Sequence, residues 1–245
     1  MGEKEPKQPV DLYRLLLPIA RLALNRHYEV KVINPENILD RPAVYAANHR
    51  EAVDSPLLIA KFTEYTDIPM RFAVKKGYFE GTGVDDEGQW GRVAKFVIEH
   101  TLQVPVERKN ATKEDIKIYN EGIKRTFERG ESFGIHPEGT RVGDRKLYKF
   151  HEGVGRIVMD YHVPAVPVGL VYKPPSNNDK ILLEMTFGEP VMPEELEHLP
   201  YSMLIGQRNK AAHITHVLEH RVADMTHMKQ THTYAPLGKS KRDHE

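Results

Sequence analysis

The chain has 245 residues, 40% of them hydrophobic and 29% charged, which is globular composition and long enough to bury a real core. Lys+Arg and Asp+Glu both count 35, so a zero net charge disfavours a dedicated nucleic-acid binder, although a local basic patch is still allowed. Cysteine is absent, which removes disulfides, thiol nucleophiles, Cys-ligated zinc and iron–sulfur clusters.

No apolar run approaches the roughly 20 residues of a spanning helix. The first ten residues lack the apolar core of a secretory signal. The expectation is a soluble or peripheral protein. Residues 11–25 read as a helix with Asp11, Arg14, Pro18, Arg21 and Asn25 on one narrow polar stripe. Its wide apolar face either packs on the domain or lies in a membrane interface with Arg14 and Arg21 at headgroup level. Pro18 should kink it.

Beyond residue 27 the pattern alternates. Tyr28, Val30 and Val32 suggest a half-buried strand, and 43–47 a buried one that ends at Asn48-His49. Asp54 or Ser55 can cap a helix running to about Phe62, with Pro56 in its first turn. Strands are expected at 72–74, 102–106, 131–135, 165–171 and 181–186. Helices are expected at 91–100, 113–129, 152–161 and about 201–226. The segment 77–91 reads as a glycine-rich acidic loop around Trp90, either a plain surface loop or a lid. Alternating strands and helices predict an α/β fold: a single domain with a mostly parallel central sheet flanked by helices, preceded by a short amphipathic N-terminal helix. The expected division is a tail and helix over 1–27, the α/β domain over 28–232 and a polar, basic tail over 233–245.

In such sheets chemistry collects where strands end in loops. Here these loops are 49–54, 108–110 and 136–141. In the first, His49 and Asp54 lie five apart across a strand-to-helix turn. If the loop folds back, the carboxylate fixes the imidazole tautomer and leaves the other nitrogen as a general base. No G-x-S-x-G elbow supplies a serine, so a substrate hydroxyl would take the nucleophile's place. Taken alone the spacing is a weak signal that occurs by chance, and a capping Asp beside a loop His fits it better. In the third loop, His136-Pro137-Glu138-Gly139-Thr140-Arg141 offers turn amides and a guanidinium suited to a phosphate. A tight turn with a structural Glu–Arg pair is the alternative.

The two motifs together, NH-x4-D and P-E-G-T-R about ninety residues apart, resemble the glycerolipid acyltransferase family, which includes the lysophosphatidic acid (1-acyl-sn-glycerol-3-phosphate) and glycerol-3-phosphate acyltransferases. Phe72-Ala73-Val74-Lys75-Lys76, Val104-Pro105-Val106-Glu107-Arg108 and Val163-Pro164-Ala165-Val166-Pro167-Val168 are similar to that family's other blocks, in order, over about residues 12–190. The resemblance implies an O-acyltransferase in which His49 deprotonates an acceptor hydroxyl that attacks an acyl thioester, and Asp54 orients His49. Arg108, with Lys75, would bind the acceptor phosphate. Glu138, Gly139, Thr140 and Arg141 would shape the acceptor site. It implies no metal and no cofactor. The donor would be acyl-CoA or acyl carrier protein, the acceptor a phosphorylated lysolipid, and the location the cytoplasmic face of a membrane, held peripherally. Glu51, His136 and Val142 depart from residues the family commonly carries, and Glu51 sets a negative charge beside the expected phosphate.

Three other readings stand beside this one. His49, Asp54, His136 and Glu138 could ligate a metal, but their spacing matches no HExxH-type motif. His213, His216 and His220 share one helical face and suit either a solvated stripe or a metal site. A relative that kept the fold and lost turnover would have been expected to lose one of His49, Asp54, Arg108 or Glu138.

Overall fold

The computed structural model describes residues 11–80, 89–107, 110–175, 179–194 and 207–236. Seven strands form one sheet: β1 (Tyr28–Ile33), β2 (Val44–Ala47), β3 (Met70–Lys75), β4 (Val104–Val106), β5 (Ser132–Ile135), β7 (Ala165–Lys173) and β8 (Ile181–Phe187). Their spatial order is β1-β8-β7-β2-β5-β3-β4. Neighbours run parallel except β7 and β8, which are antiparallel. Two short strands the periodicity did not reveal, β6 (Lys146–Leu147) and β9 (Lys229–Gln230), pair apart from the sheet.

The centre of the sheet is apolar on both faces, and β2 shows why. Val44 and Ala46 enter one core with Phe133, Ile123 of α4 (Lys113–Glu128), Ile157 of α5 (Gly153–Tyr161) and Leu218 of α6 (Gln207–Thr226). Ala43, Tyr45 and Ala47 enter the other, with Leu57, Leu58 and Phe62 of α2 (Asp54–Phe62). All five are fully buried. A continuous apolar run is what a strand covered on both faces requires. Helix α4 starts where expected. Thr112 accepts from the Asp115 amide at 3.1 Å, and the Asp115 carboxylate accepts from the Thr112 amide at 2.9 Å, a complete capping box.

Two details, the cap of α2 and the placement of Arg21, correct the sequence reading. The N-cap of α2 is Val53, with no side-chain cap, because the Asp54 carboxylate is used elsewhere. The N-terminal helix α1 (Tyr13–His27) continues through Pro18. Its Arg21 does not reach for headgroups but turns onto α2, donating to the Ala60 carbonyl at 3.1 Å and to Thr63 Oγ1 at 2.8 Å. The expected start of α6 at 201 and most of the acidic loop over 84–91 lie outside the described residues.

Candidate active site

β2 and β5 are adjacent parallel strands, with Val44 opposite Phe133 and Ala46 opposite Ile135. The loops leaving their carboxyl ends therefore emerge side by side. The first is the His49–Asp54 loop, the second the His136–Arg141 turn. Each holds the other. The His49 amide donates to Glu138 Oε2 at 2.8 Å, and the Val142 amide donates to the His49 carbonyl at 3.1 Å. On the other side of β2, strand β7 is anchored by Asn48, whose buried side-chain amide donates to the Leu170 carbonyl and accepts from the Leu170 amide. Since Ala47, the last residue of β2, pairs with Val168, β7 runs on past it to Tyr172.

Within this frame His49 Nδ1 lies 2.9 Å from Asp54 Oδ2. The same oxygen accepts from the amides of Arg50 at 2.6 Å and Glu51 at 2.8 Å, which fold the loop back on itself. Asp54 Oδ1 accepts from the Tyr172 hydroxyl at 2.6 Å. Asp54 is fully buried. Burial alone would raise its carboxyl, but the hydrogen bonds it accepts from His49 and Tyr172 hold it below the ordinary aspartate range. It is therefore an anion near neutral pH, and it keeps the His49 proton on Nδ1, leaving Nε2 as the basic nitrogen. Burial and then the Asp54 charge raise Tyr172, so its hydroxyl remains a donor.

Glu138 is 1% exposed, and both its oxygens accept backbone amides, Oε2 from His49 and Oε1 from Tyr148 at 3.0 Å. Burial pushes it up to about 7, against the pull of those two bonds. Gly139 has φ +76°, and a Cβ there would meet the His151 ring at 3.1 Å, so the turn requires glycine. Thr140 is half-buried and Arg141 is exposed on the same turn. Lys75 is exposed at the end of β3, while its neighbour Lys76 is paired with Asp115 at 2.8 Å. Arg108 lies outside the described residues.

His136 is buried, and its ring stacks on His49 with centroids 4.0 Å apart and planes within 4°. Ligand atoms of His49, Asp54 and His136 fall within 4.8 Å of one another, the one such group with metal-ligand potential among the described residues. The stack argues against an ion there, since imidazole lone pairs lie in the ring plane and an ion in one plane sits outside the other. The C-terminal histidines form no such group among the described residues; His220 instead bonds Asp224 at 2.9 Å.

The sequence reading missed Tyr172, Asn48 and the His136 stack. Residue parity along β7 offered a signal for the first. Val166, Val168 and Leu170 all face α2, and Tyr172 continues that face.

Comparison with known proteins bears on the family and the fold. Over 144 residues, 58% of this chain and 49% of the relative, the chain is 26% identical to a probable 1-acyl-sn-glycerol-3-phosphate acyltransferase of Mycoplasma pneumoniae. It thus spans about half the length of the curated relative it matches. The crystal structure of the 1-acyl-sn-glycerophosphate (LPA) acyltransferase PlsC from Thermotoga maritima has the same fold. Its TM-score is 0.59 at 19% identity, over 86% of this chain and 78% of that one. The Acyltransferase family profile matches residues 29–171, a span that runs from β1 through both site loops to the residue before Tyr172, and the chain belongs to that family.

Proposed function

We propose that this protein transfers a fatty acyl group from an acyl thioester to the free hydroxyl of a phosphorylated lysolipid of the 1-acyl-sn-glycerol 3-phosphate type. The observation that carries this reading is the 2.9 Å contact of His49 Nδ1 with a buried, ionised Asp54. It leaves Nε2 able to take a proton. As the acceptor hydroxyl attacks the thioester carbonyl, its proton passes to Nε2 and the Asp54 charge stabilises the imidazolium. The tetrahedral intermediate then collapses, the C–S bond breaks, and the leaving sulfur takes the proton back. No covalent acyl-enzyme, metal or cofactor is required by this scheme.

Arg108, Lys75 and Arg141 are assigned to the acceptor phosphate, with Thr140 as a further donor. Gly139 keeps their turn tight. Glu138 acts on the site through the His49 and Tyr148 amides it holds. The donor is acyl-CoA or acyl carrier protein. The exposed ridge of α1 holds the enzyme peripherally at the cytoplasmic face of a membrane. The names of the family and of the Mycoplasma relative support the acyl-transfer chemistry.

The test is mass-spectrometric detection of transfer, with chelator present. Long-chain acyl-CoA and acyl carrier protein are each offered against lysophosphatidate, glycerol 3-phosphate and neutral lysolipids. Acylated lysophosphatidate should form, and His49→Ala should lose about 10²–10⁴-fold in rate while remaining folded. Inactivity of the wild type with every donor, or full activity of His49→Ala, refutes the reading. Product from glycerol 3-phosphate or a neutral lysolipid alone would reassign the acceptor and implicate Glu51.

A further inference from the structure

The reaction just proposed gives His136 no task. Its surroundings are nonetheless specific. Nδ1 lies 3.1 Å from the Ala47 carbonyl and 3.2 Å from the Asn48 carbonyl. Carbonyl oxygens only accept, so Nδ1 carries the proton. In the neutral ring Nε2 is then an acceptor, and Ser55 Oγ lies 3.0 Å from it, placed to donate. Phe72 packs at 5.1 Å. The ring is thus fixed at both nitrogens, with a face against His49. The carbonyls it holds belong to the two residues immediately before His49, and its Ser55 partner immediately follows Asp54.

We propose that His136 is a positioning residue: a neutral imidazole locked in the Nδ1–H tautomer, whose flat face sets the plane of the His49 ring so that its basic nitrogen points at the acceptor hydroxyl. The bond to Asp54 fixes one atom of the His49 ring but leaves rotation about that contact, and the stack removes it. This role rests on the acyl-transfer reading, in which His49 is the base.

The stack also has an electrostatic consequence. Among the described residues, the ionisable groups facing His136 include His49 and Asp54 across the interface and Glu138 on its own turn. Asp54 favours a proton on either ring, but its Oδ2 touches His49 Nδ1, so His49 takes the first proton. A second proton on a ring stacked 4.0 Å away is then opposed by the first, and the two histidines titrate as a coupled pair. His136 therefore stays neutral at pH values where a free histidine is charged.

The test combines ring NMR with kinetics. In wild-type protein with 15N-labelled histidine, His136 should give the shifts of a neutral Nδ1–H ring down to about pH 5, while His49 titrates; an ordinary histidine would be largely cationic there. A His136 imidazolium at pH 6, or an Nε2–H tautomer, overturns the proposal. These signals require no turnover, so they decide the ring's state even if the acyl-transfer reading fails. In the acyl-transfer assay His136→Ala should lower kcat by about 10–100-fold with the acceptor KM unchanged. His136→Phe, which restores a flat ring, should recover most of that loss. Wild-type kcat in His136→Ala, or a phenylalanine variant no better than alanine, rejects the platform role. Should the alanine variant not fold, His136→Gln takes its place, since it keeps a donor to the carbonyls without a ring.

Discussion

Two buried carboxylates stand at either end of the His49 segment, and their environments push them in opposite directions. Asp54 is lowered, so its contribution to stability is present above the unfolded-state value and is lost as the pH falls through the folded one. Glu138 is raised from 4.5 to about 7, so the sign reverses. The folded state holds that proton more tightly, and its contribution is complete below 4.5 and lost as pH rises through about 7. Replacing Glu138 with Gln removes this dependence and adds a constant cost, because an amide nitrogen must face one of the two backbone donors. Urea unfolding across pH 4.5 to 8 should show the wild type losing a few kcal/mol relative to Glu138→Gln over the window from 4.5 to 7. Parallel pH curves would show that Glu138 does not titrate there. Tyr172 poses a separate question, because its hydroxyl donates to Asp54 Oδ1, not to His49. Tyr172→Phe strips a donor from a buried carboxylate, which costs about 1–3 kcal/mol. Transfer should slow, but by less than the roughly 10²-fold or more expected on removing the base itself. A loss as large as that of His49→Ala would make Tyr172 a participant in the chemistry and not a support for Asp54.

Among the elements, α1 is tied to the sheet by a buried guanidinium as well as by the Met70 amide of β3, which donates to the Tyr13 hydroxyl at 3.2 Å. Arg71 of β3 is fully buried and bonds Glu131 twice, at 3.0 and 2.6 Å, and Asp11 twice, at 3.2 and 2.8 Å. It also donates to the Thr101 carbonyl and lies 4.6 Å above the Tyr13 ring. One side chain thus ties the start of α1, the end of α3 (Gln89–His100) and the start of β5 together. The partners are not equivalent. Glu131 is buried and Asp11 is 38% exposed, so loss of Arg71 leaves the first in a dry site with Arg129, 2.7 Å from its Oε2, as its remaining cation, while the second returns to water. Arg71→Met should cost about 3–5 kcal/mol in chemical denaturation, whereas Asp11→Asn should cost under about 1 kcal/mol. Similar costs for the two would mean that the exposed half of the network carries its strength. None of this could be read from the sequence, where Arg71 is one charged residue beside an apolar run and its partners lie 60 positions away in both directions.

Across the whole molecule, what the sequence disclosed was what depends on near neighbours or on a repeating period. Buried strands such as 43–47, the start of α4 at 113 and the fold-back of His49 onto Asp54 are of that kind. Contacts set by strand order were hidden, because β7 lies beside β2 only after α5 has crossed the sheet. Tyr172 therefore meets Asp54 across 118 residues, and His136 meets Ser55 across 81. On the open choice about α1, the structure shows packing for one face of the helix and leaves the other face exposed. Its Tyr13 and Arg21 side packs inward, while Leu15, Ile19 and Leu22 are 66%, 64% and 77% exposed along one ridge. Phe96 and Val97 of α3, the helix whose last carbonyl accepts the Leu12 amide, are exposed as well. No helix among the described residues is long and apolar enough to cross a membrane, so this ridge could enter only the interfacial layer. Each ridge side chain sunk into hydrocarbon would contribute roughly 1–2 kcal/mol. Three together give about 3–6 kcal/mol before the cost of ordering, enough for reversible attachment but not for permanent anchoring. Replacing Leu15, Ile19 and Leu22 with Ser should therefore lower co-sedimentation with anionic lipid vesicles at least about tenfold, while transfer to a short-chain, water-soluble acceptor persists. Unchanged vesicle binding would move the contact to another face of the molecule, and loss of the soluble reaction as well would show that the ridge supports the fold.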